Sequence, residues 1–370
     1  IMAPTEIVAE QHFAFLSGLF EKRGIKVALL TGAVKAAEKR RIKAAIESGE
    51  IQVIVGTHAL ITDDTVFKNL TLVITDEQHR FGVAQRGALA SKGSGVHTLV
   101  MSATPIPRTM GLIIYGDLDI SILDEYPKGR GVVKTYVINS DIRSRAFGFI
   151  KKLIAEGRQG YIVCPMVEEN EELALAAAEK YYEALCRNEF SNYRVGLLHG
   201  KMKPAEKDKI MLAFKDGDID LLVCTTVIEV GIDVPNAAVM LIENAERFGL
   251  SQLHQLRGRI GRGKYESHCI LLSDMKGNAN ERLQVIKNTT DGFKIADEDL
   301  RLRGPGDYLG NRQHGMPKLK IADLYADGDI MRLASMAAAN LLEHDPKLVS
   351  PECLALREKI KQTYKTFIEN

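Results

Sequence analysis

The sequence contains no tryptophan, and its five cysteines (Cys164, Cys186, Cys224, Cys269, Cys353) form no C-x-x-C pair. That pattern argues against a zinc site or a disulfide framework and suits buried thiols in a reducing compartment. No run approaches the roughly 18 apolar residues of a membrane-spanning helix, and no charged leader precedes a short apolar segment. A cytoplasmic location without membrane contact is the expectation. The net charge is only +1, so any nucleic-acid surface has to be a local patch. A further absence carries chemistry. The phosphate loop G-x-x-x-x-G-K-[ST] occurs nowhere in the 370 residues.

What is present is ordinary in bulk and specific in detail. Hydrophobic residues make up 45% and charged residues 26% of a chain long enough for two or three domains. Short Val/Ile/Leu-rich runs recur: 27–31, 51–57, 70–77 and 97–104, then 132–138, 160–167, 194–200, 220–226, 237–243 and 267–273. Continuous apolar runs of that length fit parallel strands covered on both faces. Helical stretches intervene, notably 33–48, closed by Gly49, then 169–190 and 204–215. Two such series imply two doubly wound sheets, with DEYPKGRG (124–131) as the linker. After about Thr289 the strands stop, leaving a polar, glycine-rich stretch (297–315) and two helices. For the last of these, Ser350 is expected as N-cap and Pro351 as first helical residue. IMAPTEIVAEQ reads as a buried strand entering a helix, and a chain that begins with Ile1 in mid-unit is expected to be a fragment.

The chemistry gathers in a few segments. LVITDEQHR puts Asp76 and Glu77 where an apolar strand runs out, the place where open α/β sheets collect ligands. One carboxylate, acting through water, suffices to position Mg²⁺, and its neighbour can orient or deprotonate an attacking water. Gln78 and His79 could couple this site to other elements. A solvated turn or a helix cap would also explain an Asp-Glu pair there. MSATPIPRT offers Ser102 and Thr104 as small hydroxyls able to bond to the carboxylate loop or to DNA-contacting loops, or else it is a plain strand terminus.

QLHQLRGRIGRG is sharper. Arg259 and Arg262 are three apart, hence on one helix face, and can clamp phosphate oxygens as charge grows. Gly258 and Gly261 would permit close packing, at about 1 kcal/mol each in a helix. In TTVIEVGIDVPNA, Thr225, Thr226 and the Gly231 backbone could face nucleic-acid phosphate, with Asp233 toward ribose or the arginines. HGKM presents Gly200 and Lys201 after a strand, and GTHALI presents Thr57 and His58 likewise.

In order along the chain, APTEIVAEQ, GTHALI, DEQH, SATP, HGKM, VIEVGIDVP and QLHQLRGRIGR resemble motifs Ia, Ib, II, III, IV, V and VI of superfamily 2 helicases. DEQHRFGVAQR, MSATPIPRT, YGDLDISILDEYPKGR and DLRLRGPGDYLGNRQHG are similar to the wording of the RecG family of branch-migrating DNA helicases. The last segment looks like a helical hairpin and loop shared with the transcription-repair coupling translocase. It carries five Arg/Lys and one Asp between Arg301 and Lys320, the local excess that a near-neutral protein needs to touch a phosphate backbone. Arg301, Arg303 and Arg312 are its matching cations.

The resemblance implies an α/β protein with two RecA-like parallel-sheet domains, 1–126 and 127–288, and a helical element over 289–370. It implies ATP and Mg²⁺ as cofactors, and as partners branched double-stranded DNA (forks, Holliday junctions) and single-stranded-DNA-binding protein. A monomer is expected. Asp76 would hold Mg²⁺, Glu77 would handle water, and Arg259 and Arg262 would sense the γ-phosphate. Gln255, Gly231, Asp233 and His79 would complete the nucleotide site, with a hinge near Pro127–Gly131. Motif I is missing, so the chain alone is expected to hydrolyse little or no ATP. The alternatives are the transcription-repair coupling translocase and a non-enzymatic DNA-binding module.

Overall fold

The computed structural model describes residues 1–77, 81, 88–103, 119–123, 125, 131–165, 171–225, 234–275, 277–303 and 327–368. Its contacts divide the chain into two compact units, Ile1–Thr104 with Pro127–Asn288, and Pro105–Tyr126 with Thr289–Asn370.

The first unit is built on parallel strands. β1 (Val27–Leu30) pairs with β2 (Val53–Gly56), and β3 (Leu72–Thr75) pairs with β4 (His97–Val100). Ile1–Ala3 joins the two pairs. Met2 bridges both Gly56 and Thr75 in parallel, with Met2 N–H donating to Ile74 O at 2.8 Å and Ala3 N–H to Gly56 O at 2.8 Å. Met2 and Ala3 are fully buried, so the opening residues form the middle of a sheet. The chain then enters α1 (Glu6–Phe20), where the Thr5 hydroxyl caps by accepting from Val8 N–H. Helix α2 (Ala36–Ser48) starts three residues later than the composition alone predicts and ends on Gly49 at φ 81°. It buries Ile42 and Ile46 against Leu30, Leu60 and Val73.

The larger sheet has six parallel strands in the order β5-β10-β9-β6-β8-β7. They are β5 (Val133–Ile138), β6 (Gln159–Val163), β7 (Val195–Leu198), β8 (Leu221–Cys224), β9 (Ala237–Ile242) and β10 (Ser267–Leu272). Every residue of β6, β8, β9 and β10 is buried, as near-continuous apolar runs between two layers of helix require. α3 (Arg143–Ala155) buries Phe147, Ile150 and Leu153, and the predicted 169–190 helix resolves into α4 (Glu171–Ala184) and one π-turn (Leu185–Glu189). α5 (Pro204–Lys215) has the predicted bounds, with Pro204 at its first position. α6 (Leu250–Arg257) and α7 (Asn278–Asn288) complete the layer. This is the expected RecA-like parallel-sheet architecture.

Three of the four free cysteines in this sheet domain are buried. Desolvation pushes the thiols of Cys164 and Cys269 up to about 12 and that of Cys224 well above its ordinary value. Cys186 is half-buried. No described helix is long and apolar enough to cross a membrane.

In the second unit the described elements are α8 (Gly292–Arg303), α9 (Gly328–His344) and α10 (Leu354–Ile368). Two expectations change here. Residues 297–303 are helical, so Arg301 and Arg303 lie on α8, where Arg301 Nε meets Glu298 Oε2 at 2.7 Å. The apolar spacing of Ile295 and Leu300, both buried, outweighs the polar look of the segment. The last helix starts at Leu354, not at Pro351. The Asp345 carboxylate takes the N–H groups of Val349 (3.0 Å) and Ser350 (2.8 Å), which spends residues 345–350 on a turn. Those donors hold the Asp345 acid down at about 2.

Candidate nucleotide and nucleic-acid site

In a parallel sheet all carboxyl ends share one rim, so the strands that carry the motif-like segments deliver them together. On the first sheet, β2 runs into Thr57 and His58, β3 into Asp76 and Glu77, and β4 into Ser102.

The carboxylate pair is held from several sides. Asp76 N–H donates to Met2 O at 3.0 Å, and Asp76 Oδ1 accepts from Glu77 N–H at 2.9 Å. Asp76 Oδ2 lies 3.1 Å from His12 Nε2 on α1. Glu77 adopts φ 48°, a left-handed conformation shared among described non-glycine residues only with Asn244 and Leu348. Such a backbone costs on the order of 1–3 kcal/mol and persists only where its surroundings over-determine it. Here the surroundings are visible. The kink returns the Glu77 carboxylate to the exit of β4, where Oε2 accepts from Ala103 N–H at 3.3 Å. The DE and SAT segments therefore meet, through the backbone of Ala103. Ser102 is exposed, and Thr104, Gln78 and His79 fall outside the described residues.

Thr57 is buried, and its Oγ1 has no hydrogen-bond partner, while His58 is exposed at the head of a 3₁₀ turn (His58–Leu60). Lys92 anchors the far side of that turn by donating to Thr62 O (2.7 Å) and Thr65 O (2.9 Å).

On the six-stranded sheet, β7 leads into His199, Gly200 and Lys201, and β8 into Thr225. Gly200 and Lys201 are exposed, and Gly200 O accepts from Lys207 Nζ at 2.6 Å. Thr225 is buried with its N–H on Leu198 O (3.1 Å) and, like Thr57, an Oγ1 without a partner. Buried hydroxyls without partners are uncommon, and these two occupy matching strand ends. Thr226, Gly231 and Asp233 fall outside the described residues, as does Arg312.

The arginine segment corrects one expectation. Arg259 and Arg262 do not share a helix face, because α6 ends at Arg257. Arg259 N–H and Ile260 N–H close onto the carbonyls of Leu256 and Arg257, and Gly261 then turns at φ 79°. The two glycines that the sequence offered for close packing also terminate the helix. Arg259 is half-buried and Arg262 exposed, the latter donating through Nε to Gly258 O at 3.0 Å. Gln255 lies within α6 and is half-buried.

Close packing does hold for the loop itself. A Cβ on Gly261 would come within 2.5 Å of Val133 Cγ2, and one on Gly263 within 2.2 Å of Pro235 O. Val133 opens β5 and Pro235 precedes β9, so the arginine loop lies at the amino-terminal rim of this sheet, opposite Thr225. It also abuts the end of the segment that contains Asp233. Gly263→Ala should force a backbone shift and cost about 1–3 kcal/mol or more, read as a lowered thermal midpoint, whereas Gly277→Ala meets no atom within 4 Å and is strained only by its φ of 74°.

Arg257 was not singled out in the sequence. It is buried, donates to Ile286 O (2.5 Å) and lies 3.1 Å from His254 Nδ1, tying α6 to α7. A third arginine in so basic a run gives no hint that it points inward. His12 was missed as well, since nothing in AEQHF places it near a carboxylate 64 residues away.

Comparison with known proteins fits this arrangement. Residues 1–112 match the DEAD/DEAH box helicase model, 145–264 the helicase conserved C-terminal domain, and 289–370 the C-terminal part of domain 3 of ATP-dependent DNA helicase RecG. The chain is 47% identical over 361 residues to the ATP-dependent DNA helicase RecG of Bacillus subtilis, covering 97% of this chain and 53% of that protein. It is 49% identical to that of Thermotoga maritima, covering 97% of this chain and 45% of that one. Among solved structures, RecG bound to a three-way DNA junction superposes with a TM-score of 0.72 at 49% identity, covering 89% of this chain and 43% of that chain. The chain spans about half the length of these relatives. Two helicase models and a RecG-specific module, in the order the fold presents them and with near half identity throughout, make this chain a homologue of RecG.

Proposed function

We propose that the chain is the motor portion of an ATP-dependent translocase on double-stranded DNA that remodels branched substrates such as stalled forks and Holliday-type junctions. The observation that carries this reading is the hydrogen bond from Ala103 N–H to the kinked Glu77, which joins the strand ends of motifs II and III around an ordered Asp76. The RecG-specific match over 289–370 favours this reading over the transcription-repair coupling translocase.

The residues present fit Mg²⁺ and nucleotide in part. Mg²⁺ keeps most of its waters and asks for one or two carboxylates, so Asp76 alone can serve, and no group of three or more ligating side chains is needed or found among the described residues. Bound there, the cation would neutralise charge on the β- and γ-phosphates. Asp76 would hold it by accepting hydrogen bonds from its bound waters. Glu77, with one oxygen fixed by Ala103, orients the attacking water and takes its proton. Arg259 and Arg262 would offer fixed guanidinium charge to the γ-phosphate, and Gln255, His79, Gly231 and Asp233 are the residues proposed to contact the nucleotide. Cleft closure about Pro127–Gly131 would bring domain 127–288 toward domain 1–126 in each cycle, and the 289–370 element would convert that motion into a step.

DNA phosphates would be met by Thr57, His58, Ser102 and Thr104 on one domain, and by Gly200, Lys201, Thr225 and Thr226 on the other. Arg301, Arg303 and Arg312 would follow the duplex. The protein would act as a monomer in a bacterial cytoplasm, with single-stranded-DNA-binding protein as a partner. Thr57→Val and Thr225→Val should each weaken binding to a three-way junction about 10- to 100-fold, as expected for a lost hydrogen bond to a charged group. Lys201→Ala should in addition lower the slope of log K against log salt by about 0.9, which Val substitutions should leave alone. Fluorescence anisotropy across a salt series reads both.

The test of the reading is hydrolysis. DNA-stimulated ATPase should be negligible in the 370-residue chain and appear when it is lengthened upstream of Ile1 with the corresponding region of the B. subtilis relative. Junction binding without hydrolysis in either form would leave a non-enzymatic binding module.

A further inference from the structure

His12 lies two turns into α1, away from every motif-like segment after the first, yet its Nε2 is 3.1 Å from Asp76 Oδ2. This is not core filling: the side chains are 33% and 23% exposed. Asp76 has one oxygen on Glu77 N–H and its own N–H on Met2 O, contacts that fix its backbone and Oδ1. His12 is the side chain from another element that meets Oδ2. An ionised carboxylate only accepts, so Nε2 carries the hydrogen, and the bond fixes how the carboxylate plane is turned. Among the described residues, the other contact that restrains rotation about the Cβ–Cγ bond is the Glu77 N–H.

We propose that His12 is a positioning residue for Asp76, holding Oδ2 toward the water shell of the nucleotide-bound cation. The proposal rests on Asp76 being the cation-side carboxylate. Partners that orient a ligating group without touching the metal commonly set metal affinity by about 10- to 100-fold. The same bond joins α1, which the chain enters from the APTE segment, to the carboxylate.

The test uses the chain lengthened upstream of Ile1, in its His12→Ala, His12→Gln and Asp76→Asn forms. Two readouts apply. One is the Mg²⁺ concentration for half-maximal ATP hydrolysis. The other is Fe²⁺-directed backbone scission beside residue 76 in the presence of a non-hydrolysable ATP analogue, which needs no turnover. His12→Ala should raise the half-saturating concentration of both cations about tenfold, with kcat at saturating Mg²⁺ changed less than twofold. His12→Gln, which keeps an N–H donor of similar reach, should recover most of the shift. Equal cation dependence in His12→Ala and the parent overturns the proposal, and so does failure of His12→Gln to recover it. Asp76→Asn separates the two levels of the argument: if it leaves scission and hydrolysis intact, the assignment of Asp76 falls and takes the proposal with it. Both side chains are partly exposed, and an unchanged thermal midpoint in His12→Ala confirms that the fold is retained.

Discussion

Replacing Arg259 with alanine in the upstream-lengthened chain should lower kcat for DNA-stimulated ATP hydrolysis about 10³-fold, with a much smaller change in nucleotide affinity. Arginines aimed at a transferring phosphoryl group contribute on the order of 10³–10⁵ in kcat, because they act where charge develops and not where it already sits. The loop geometry is compatible with that proposed role. Gly261 and Gly263 press the loop against Val133 and Pro235, leaving Arg259 half-buried on a backbone with little freedom. Arg259→Lys should restore little, since an ammonium cannot reproduce the planar fork. Arg262 is exposed and bonds back to Gly258 O, so Arg262→Ala should cost less. Equal and mild losses in both variants would place the phosphate contact elsewhere.

The second large effect concerns Glu77→Gln. Glutamine keeps an acceptor oxygen for Ala103 N–H, so the junction between β3 and β4 is retained, but it cannot take a proton from water. Hydrolysis should fall about 10²–10⁴-fold, the range for loss of a general base, while thermal stability and nucleotide binding stay near the parent values. Glu77→Gly is the contrasting case. It relieves the left-handed backbone at φ 48° and removes the carboxylate together, so it should be no less stable than the parent and equally inactive. A variant that loses stability with Glu77→Gln would mark Glu77 as a structural strut.

Much of this was legible in the sequence, and the reason is physical. All ten apolar runs contain strands, and those of β6, β8, β9 and β10 are buried on both faces as expected, whereas β4 is largely exposed and β5 alternates between exposed and half-buried. The runs overshoot at their carboxyl ends: HTLVMSAT supplies a strand only over His97–Val100, and LTLVITDE only over Leu72–Thr75. The overshoot is informative. The strands end just before Asp76, Met101, Thr57 and Thr225, so the side chains proposed to meet a ligand sit just past the ladder. Of the two glycines read as close-packing, Gly261 meets Val133, and the contact with Pro235 comes from Gly263, which was not singled out. What could not be read was the helix end at Arg257, since Gly258 and Gly261 are compatible with either a tight helix crossing or a terminus. His12 and Arg257 were hidden for a different reason. Each acts through one contact with a distant segment, and single tertiary contacts leave no periodicity or spacing behind.

The account depends on Asp76 and Arg259 serving one nucleotide. The direct measurement is a pulsed electron-resonance distance between spin labels beside Asp76 and beside Arg259, taken in the lengthened chain with and without a non-hydrolysable ATP analogue and junction DNA. The prediction is a single short distance that narrows when nucleotide and DNA are both present, and that Glu77→Gln preserves. A distance too long for one nucleotide to span, unchanged by either ligand, would contradict it.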